Sequence, residues 1–91
     1  MFNLISTINV GEGDGFVEGA KSMSPDHLDS LGVVEQIIYQ AVGQNVVIIT
    51  TSYNTLEDAQ NHKAILESPD TVAQLKQMGV ESFDIWLAEK A

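Results

Sequence analysis

The chain contains no cysteine and no arginine, and its few positive charges are all lysines. Without cysteine it has no disulfide, thiolate nucleophile or thiolate metal site. Without arginine it lacks the side chain that binds phosphates and carboxylates in a bidentate manner. Four basic residues face 13 acidic ones, and the resulting net charge of −9 repels phosphate backbones and anionic membrane surfaces. We therefore expect no nucleic-acid partner, no membrane partner and no bound cofactor.

Long apolar runs are also absent, because no run approaches the roughly 20 residues that cross a bilayer. Residues 1–4 (MFNL) lack the basic start and the cleavage site of a secretory signal, so we expect a cytoplasmic protein. With 91 residues, the chain has the length of a single domain, residues 1–91. A domain of this size buries only about 60–65% of its unfolded surface, so association with another chain would support its thin core.

One short phrase, Ser-Pro-Asp, occurs twice, at residues 24–26 and 68–70. The second copy starts 44 positions after the first, and the same offset lays the apolar run 2–10 onto the run 46–54. Serine is a common helix N-cap, proline fits the first helical position, and an acid suits the first turn. The repeat predicts one strand–helix–strand unit used twice. The alternative is that Ser-Pro-Asp marks two unrelated helix starts.

The pattern of apolar residues predicts strands over residues 2–10, 33–42, 46–53 and 82–87. Asp14 can cap a helix that carries Phe16, Ala20 and Met23 on one side, and Thr55 can cap a second helix that restarts at residue 68. The element order is strand, helix, strand, strand, helix, strand. Right-handed crossovers then give an α+β fold with a four-stranded antiparallel sheet and both helices on one face.

Such a sheet leaves its second face without cover from this chain. Ile5 lies on that face, opposite the side that carries Leu4, and the third strand adds residues such as Val46 and Ile48 or their neighbours. Leaving apolar side chains in water forgoes about 1.5–3 kcal/mol each. A second copy packed sheet to sheet would cover them, so we predict a symmetric homodimer.

Residues 10–16 (VGEGDGF) close a strand and open a helix, and residues 52–59 (SYNTLEDA) do the same before His62 and a Ser-Pro pair at 68–69. This arrangement, together with the element order, resembles the antibiotic biosynthesis monooxygenase-like, dimeric α/β-barrel superfamily. Its members commonly leave a strand through an aromatic residue, enter a helix rich in Glu and Ala, and then show a His and a Ser-Pro. The resemblance covers essentially the whole chain.

The resemblance implies a ferredoxin-like subunit that dimerises through its sheet and, in many members, holds a small molecule in an apolar cavity between sheet and helices. Some members oxygenate aromatic polyketides or quinols without a bound cofactor, some degrade haem, and some have no known activity. Haem-degrading members resemble one another in an asparagine on the first strand and a histidine late in the second helix. Here Ser6 stands at the asparagine position and residues 71–78 contain no histidine, so haem degradation is not expected.

Six residues are candidates for contact with a ligand in such a cavity. His62 would suit a general base near neutral pH, although a half-exposed helix residue is the alternative. Tyr53, at the strand exit where relatives carry an aromatic residue, is expected to line the cavity. Ser6 and Thr51 could orient a ligand from the strands, and Tyr39 and Trp86 could supply aromatic walls.

Two further features are expected to have no role in a site. His27 has aspartates on either side but would be one nitrogen ligand alone, so a solvated histidine is expected. The glycine-rich residues 11–15 lack the Lys-Ser/Thr of a phosphate loop and the alternating acids of a calcium loop. A flexible connection is therefore the expectation.

We therefore expect the protein to bind a small hydrophobic ligand (aromatic, quinone-like or fatty-acid-like) in a cavity between sheet and helices. If it is an enzyme, cofactor-independent oxygenation is expected, with Tyr53 and His62 orienting or deprotonating the substrate. The alternative is a non-catalytic dimerisation or regulatory module whose interior is filled. A cavity reached from solvent would distinguish the two.

Overall fold

The computed structural model describes residues 2–11, 21 and 24–89. Apart from Lys21, the helix predicted from Asp14 to Met23 and most of the glycine-rich connection therefore lie outside the described residues. Within them the strands are β1 (Phe2–Val10), β2 (Val33–Gln40), β3 (Val46–Tyr53) and β4 (Val80–Glu89). The helices are α1 (Pro25–Ser30), α2 (Leu56–Leu66) and α3 (Pro69–Gln77).

The four strands form one sheet in the order β2-β3-β1-β4, and each neighbouring pair is antiparallel. This order confirms the predicted four-stranded antiparallel sheet. The connection from β1 to β2 and the connection from β3 to β4 each cross over a central strand. The two central strands, β1 and β3, are the two that the sequence repeat lays onto each other.

Both Ser-Pro-Asp phrases start a helix in the predicted way. The Ser24 hydroxyl accepts the backbone N–H of His27 at 3.2 Å, and the Ser68 hydroxyl accepts that of Thr71 at 3.4 Å. A proline occupies the first turn of each helix and an acid follows it. Both copies therefore have the same structural role: the serine accepts a backbone N–H group that has no partner within the first turn of the helix.

The helices α1 and α3 also end alike, before a glycine with a left-handed backbone. Gly32 has φ 78° and Gly79 has φ 92°, a region that side chains with a Cβ disfavour. Each glycine is followed by a buried valine that opens a strand, Val33 in β2 and Val80 in β4. The Gly-Val pairs of the repeat thus turn the chain from helix into sheet.

One face of the sheet, here called the covered face, packs against the helices. Its core has two parts, one around Val47 near the end of β1 and one around Leu4 near its start. Leu28 and Leu31 from the first helical segment and Leu66 and Leu75 from the second pack against these parts. The described helices therefore lie on one face, as predicted.

The opposite face, here called the open face, has no cover within the described part of the chain. Its most apolar row crosses all four strands through directly paired residues: Ile37, Thr50, Ile5 and Trp86. The next row carries Tyr39 beside Ile48. The predicted open-face positions of Ile5, Val46 and Ile48 agree with the strand alternation seen here.

Two predictions about the strands need correction. β2 ends at Gln40 rather than at Val42, because Ala41 already donates its N–H to Val46 across the turn and Val42 is 98% exposed. β4 is longer than expected and runs from Val80 to Glu89.

Among the helices of the described segments, none combines the length and the apolar character that a bilayer crossing requires.

Candidate functional site

Tyr53 is the last residue of β3, and its side chain is completely buried on the covered face. Strand pairing sets it beside Phe2 of β1 and Val33 of β2. It belongs to the core around Leu4, which Ala59 joins from α2. A tyrosine in this setting needs a hydrogen-bond partner for its hydroxyl, because a buried unpaired hydroxyl is costly.

His62 supplies that partner from helix α2. It lies three positions after Ala59, so both side chains lie on the helix side that packs against the sheet, and both are buried. His62 is 9% exposed, so the interpretation of a half-exposed helix residue is wrong. Its neighbour Lys63 points elsewhere and pairs with Glu67 at 2.7 Å.

The Tyr53 hydroxyl and His62 Nδ1 form a hydrogen bond that joins β3 to α2. The two rings meet edge to face, with centroids 5.7 Å apart and planes inclined by 74°. The Thr51 side chain also hydrogen-bonds Tyr53, from two positions earlier on the same face of β3. The sequence hypothesis named all three residues, and the structure brings them together as one hydrogen-bonded group.

Burial keeps both rings of this group uncharged near pH 7. Burial raises the pKa of the Tyr53 phenol well above its ordinary value, and the hydrogen bond from Thr51 offsets only part of that rise. Burial also lowers the pKa of His62, and the nearby positive charge of His27 lowers it further. The pair is therefore a neutral phenol joined to a neutral imidazole.

Ser6 lies on the same covered face and is 8% exposed. It pairs with Ile49 on β3 and with Ile85 on β4, so it stands one strand away from Tyr53 and further along the sheet. The structure thus places Ser6 on the predicted side of the sheet, diagonally across from Thr51, which pairs with Leu4.

Tyr39 and Trp86 lie on the open face, and each is 52% exposed. Tyr39 pairs with Ile48 and Trp86 pairs with Ile5, both residues of that face. The interpretation that these two aromatics line a cavity between sheet and helices is therefore wrong. A strand presents alternate residues to opposite faces, and the register of β2 and β4 against the central strands shows that both aromatics lie on the open face.

Helix α1 approaches α2 beside this group, which the sequence did not reveal. The Asp58 carboxylate of α2 lies directly over Gly32, the residue that follows α1. His27 is exposed on α1, as expected of a solvated histidine, yet its charge reaches His62. Searching residues 2–11, 21 and 24–89 finds no cluster of three metal-ligating side chains.

Among the surface depressions lined by described residues, two lie away from Tyr53 and His62. One follows the β2–β3 turn over residues 40–45. The other, of about 230 Å³, lies between α3 and β4 and has Val72, Leu75, Val80 and Phe83 in its lining. It opens towards the core around Val47, at the opposite end of β1 from Tyr53.

Comparison with known proteins finds relatives by structure alone. No family model matches the chain, and no curated protein matches it. A dimeric ferredoxin-like protein from an uncultured marine organism superposes with a TM-score of 0.67 at 16% identity, covering 99% of this chain and 90% of that chain. The fold is ferredoxin-like. The predicted α+β, ferredoxin-like fold class is thereby confirmed.

Two other solved structures share this ferredoxin-like fold. A putative antibiotic biosynthesis monooxygenase from Deinococcus radiodurans has a TM-score of 0.60 at 19% identity, covering 100% of this chain and 93% of that one. A nipsnap family protein with unknown function from Agrobacterium tumefaciens has a TM-score of 0.62 at 15% identity, covering 100% of this chain and 88% of that one. At identities this low, the likeness shows a shared fold and does not establish the activity of this protein.

Proposed function

We propose that this protein binds a small hydrophobic molecule, aromatic, quinone-like or fatty-acid-like, on the covered face of the sheet beside His62. The observation that carries this proposal is the neutral hydrogen-bonded pair of Tyr53 and His62, set in an otherwise apolar wall. A few fixed polar groups in apolar surroundings are what a small-molecule site requires. The likeness to a putative antibiotic biosynthesis monooxygenase supports the same class of ligand.

Tyr53 is completely buried, so in this proposal it does not touch the ligand. Its hydroxyl is engaged by His62 and Thr51, which makes it a positioning residue for the imidazole. His62 retains some exposure and is the polar group that meets the ligand.

The proposal includes self-association through the open face. A row of apolar residues there, with Ile5 at its centre and Ile37 and Trp86 at its edges, matches what a second sheet would cover. A similar structure is described as a dimeric ferredoxin-like protein, which supports a homodimer. In a symmetric pair the same row meets itself, so each copy covers the other's apolar residues.

Oxygenation without a cofactor is the catalytic form of this proposal. A naphthoquinol would reduce O2 by four electrons, two from its oxidation to the quinone and two from conversion of one ring C–H to C–OH. One oxygen atom would end in the hydroxynaphthoquinone and the other in water. The pair of Tyr53 and His62 would orient the quinol within the apolar wall. Oxygen uptake with an added naphthoquinol tests this form separately from binding.

A filled, non-catalytic dimerisation module is the second candidate. One observation favours it: Tyr53 has no exposed surface. In that case the hydrogen bond serves only to fasten α2 to the sheet.

Isothermal titration of the protein with naphthoquinone distinguishes the two candidates. We expect saturable binding that His62→Ala weakens and that Val42→Ala, at the exposed tip of the β2–β3 turn, leaves unchanged. Absence of binding by naphthoquinone, naphthalene and decanoate would leave the dimerisation module as the function. Oxygen uptake from a naphthoquinol that survives His62→Ala and Tyr53→Phe would remove the pair from any catalytic role.

A further inference from the structure

The hydrogen bonds of Tyr53 determine which nitrogen of His62 carries the proton. Both rings are neutral, so the hydrogen bond between them contains one proton. That proton is carried either by the Tyr53 oxygen or by Nδ1 of His62. A phenol is a stronger donor than a neutral imidazole N–H, and an imidazole nitrogen is a stronger acceptor than a phenol oxygen. Tyr53 therefore donates to Nδ1, and Thr51 is free to donate to the Tyr53 oxygen.

Because a neutral imidazole carries one N–H, its proton must then lie on the other nitrogen, Nε2. We propose that Tyr53 is a positioning residue that fixes His62 with a protonated Nε2, and that this N–H donates to a carbonyl oxygen of an uncharged ligand. This inference rests on the proposed function and narrows its ligand class. It also selects the orienting role for His62 over the deprotonating role, since a protonated Nε2 cannot accept a proton.

The charges around the pair disfavour an anionic ligand. The chain has no arginine and a net charge of −9. Lys63, the residue next to His62, is occupied by Glu67 at 2.7 Å. Lys76 lies on α3, in the lining of the depression at the other end of the sheet. A carboxylate at His62 would therefore lose its hydration beside a lysine that is already paired, whereas a ketone or quinone oxygen needs only one donor.

The proton assignment is tested by nitrogen NMR of the imidazole ring in protein labelled with 15N-histidine. The variant His27→Gln leaves His62 as the one labelled ring and keeps the pair intact. We expect a proton on Nε2 and a bare Nδ1. Adding Tyr53→Phe should release the constraint and give a mixture of both tautomers. A proton on Nδ1 in the first variant, or no change on adding the second, would overturn the assignment, whether or not any ligand binds.

The ligand class is tested by titrating naphthoquinone, naphthalene and decanoate into three forms of the protein. His62→Leu should weaken naphthoquinone by roughly two- to ten-fold, the value of one hydrogen bond, and should leave naphthalene binding as it is. His62→Gln keeps an N–H donor near the same position and should retain most of the naphthoquinone affinity. Decanoate should bind the wild type more weakly than naphthoquinone.

Equal losses for naphthoquinone and naphthalene in His62→Leu, or tighter binding of decanoate than of naphthoquinone, would contradict the assigned ligand class while the proposed function stands. Failure of all three probes to bind the wild type would instead contradict the proposed function. The NMR result still decides the proton assignment in that case.

Discussion

At the residue scale, the pairing of Tyr53 with His62 is the most informative contact in the molecule. The nine positions from Tyr53 to His62 carry the chain from the end of β3 across a capped turn and almost two turns into α2. The chain thereby brings the imidazole of His62 back against β3, the strand that ends at Tyr53. Without this bond, Nδ1 of His62 would be a buried polar atom that has lost its partner, so the pair holds helix and strand in one relative position.

Removing the Tyr53 hydroxyl should therefore destabilise the protein. Tyr53→Phe leaves Nδ1 of His62 without its partner in the core, and the expected cost is about 1–3 kcal/mol. Tyr39→Phe is the matched control, because Tyr39 is half exposed on the open face, and its expected cost is below about 0.5 kcal/mol. Urea denaturation of both variants at one protein concentration measures the difference. Equal costs would mean that the buried bond adds nothing to stability.

The lowered pKa of His62 predicts a dependence of stability on pH. The unfolded chain takes up a proton at this histidine near its ordinary pKa of about 6.5, while the folded protein resists it. The stability that neutral His62 contributes is thus complete above that pKa. It is lost as the pH falls towards the lowered pKa of His62 in the folded protein, by at most about 1.4 kcal/mol per pH unit.

The variant His62→Gln isolates this effect from the carboxylates, whose titration both proteins share. Between about pH 7.5 and about pH 5.5, the wild type should lose more unfolding free energy than the variant. Chemical denaturation at the two pH values gives this comparison. A wild type whose stability changes with pH in parallel with the variant would show that His62 is not held neutral by the fold.

At the scale of elements, the repeat predicted the helix starts and stops but not how the two halves meet. The serine N-caps and the Gly-Val pairs that end the helices depend only on neighbouring residues, so the sequence alone predicts them. The approach of Asp58 to Gly32 joins residues from both halves and depends on how α1 and α2 pack. No local pattern encodes such a distance.

The equivalent glycines of the repeat provide a matched pair of variants. Gly79→Ala meets nothing within 4 Å and should cost about 1–2 kcal/mol from its left-handed backbone alone. Gly32→Ala carries the same backbone strain, and its Cβ would also lie 2.5 Å from the Asp58 carboxylate. We expect at least about 1 kcal/mol of additional cost for Gly32→Ala, measured by thermal or urea unfolding. Equal costs would place Asp58 away from Gly32.

The candidate site was predictable in part for similar reasons. Tyr53, Thr51 and His62 were identified because a strand exit and a helix stripe are visible in the pattern of the chain. Tyr39 and Trp86 were assigned to the wrong face of the sheet. Tyr39 lies on β2, where both sets of alternate positions contain apolar residues, so alternation gave no direction. Trp86 lies on β4, where it alternates with Phe83, Ile85 and Leu87, so the pattern did indicate the opposite face.

At the scale of the whole molecule, the apolar row on the open face governs assembly. Trp86→Lys places a charge where the second sheet would pack and should shift the protein from dimer towards monomer. Val42→Lys adds the same charge at the exposed turn and should leave the dimer intact. Sedimentation velocity at several protein concentrations distinguishes the species. A wild type that stays monomeric at all of them would contradict a dimer through this face.

The net charge of the subunits should also affect the equilibrium between monomer and dimer. Each subunit carries −9, so two subunits repel at long range, and added salt screens that repulsion. We expect the dimer to tighten as NaCl rises from about 10 mM to about 150 mM, over which the screening length falls from about 30 Å to about 8 Å. A dimer that weakens with salt would indicate ion pairs across the interface in place of the apolar row.

The central claim, a small-molecule site beside His62 on the covered face, is tested most directly by mapping bound naphthoquinone with backbone and ring NMR shifts. The account predicts saturable shifts centred on His62, Tyr53 and Thr51, with Tyr39 and Trp86 unmoved. Shifts centred on the open face or on the depression between α3 and β4, or no shifts at all, would contradict it.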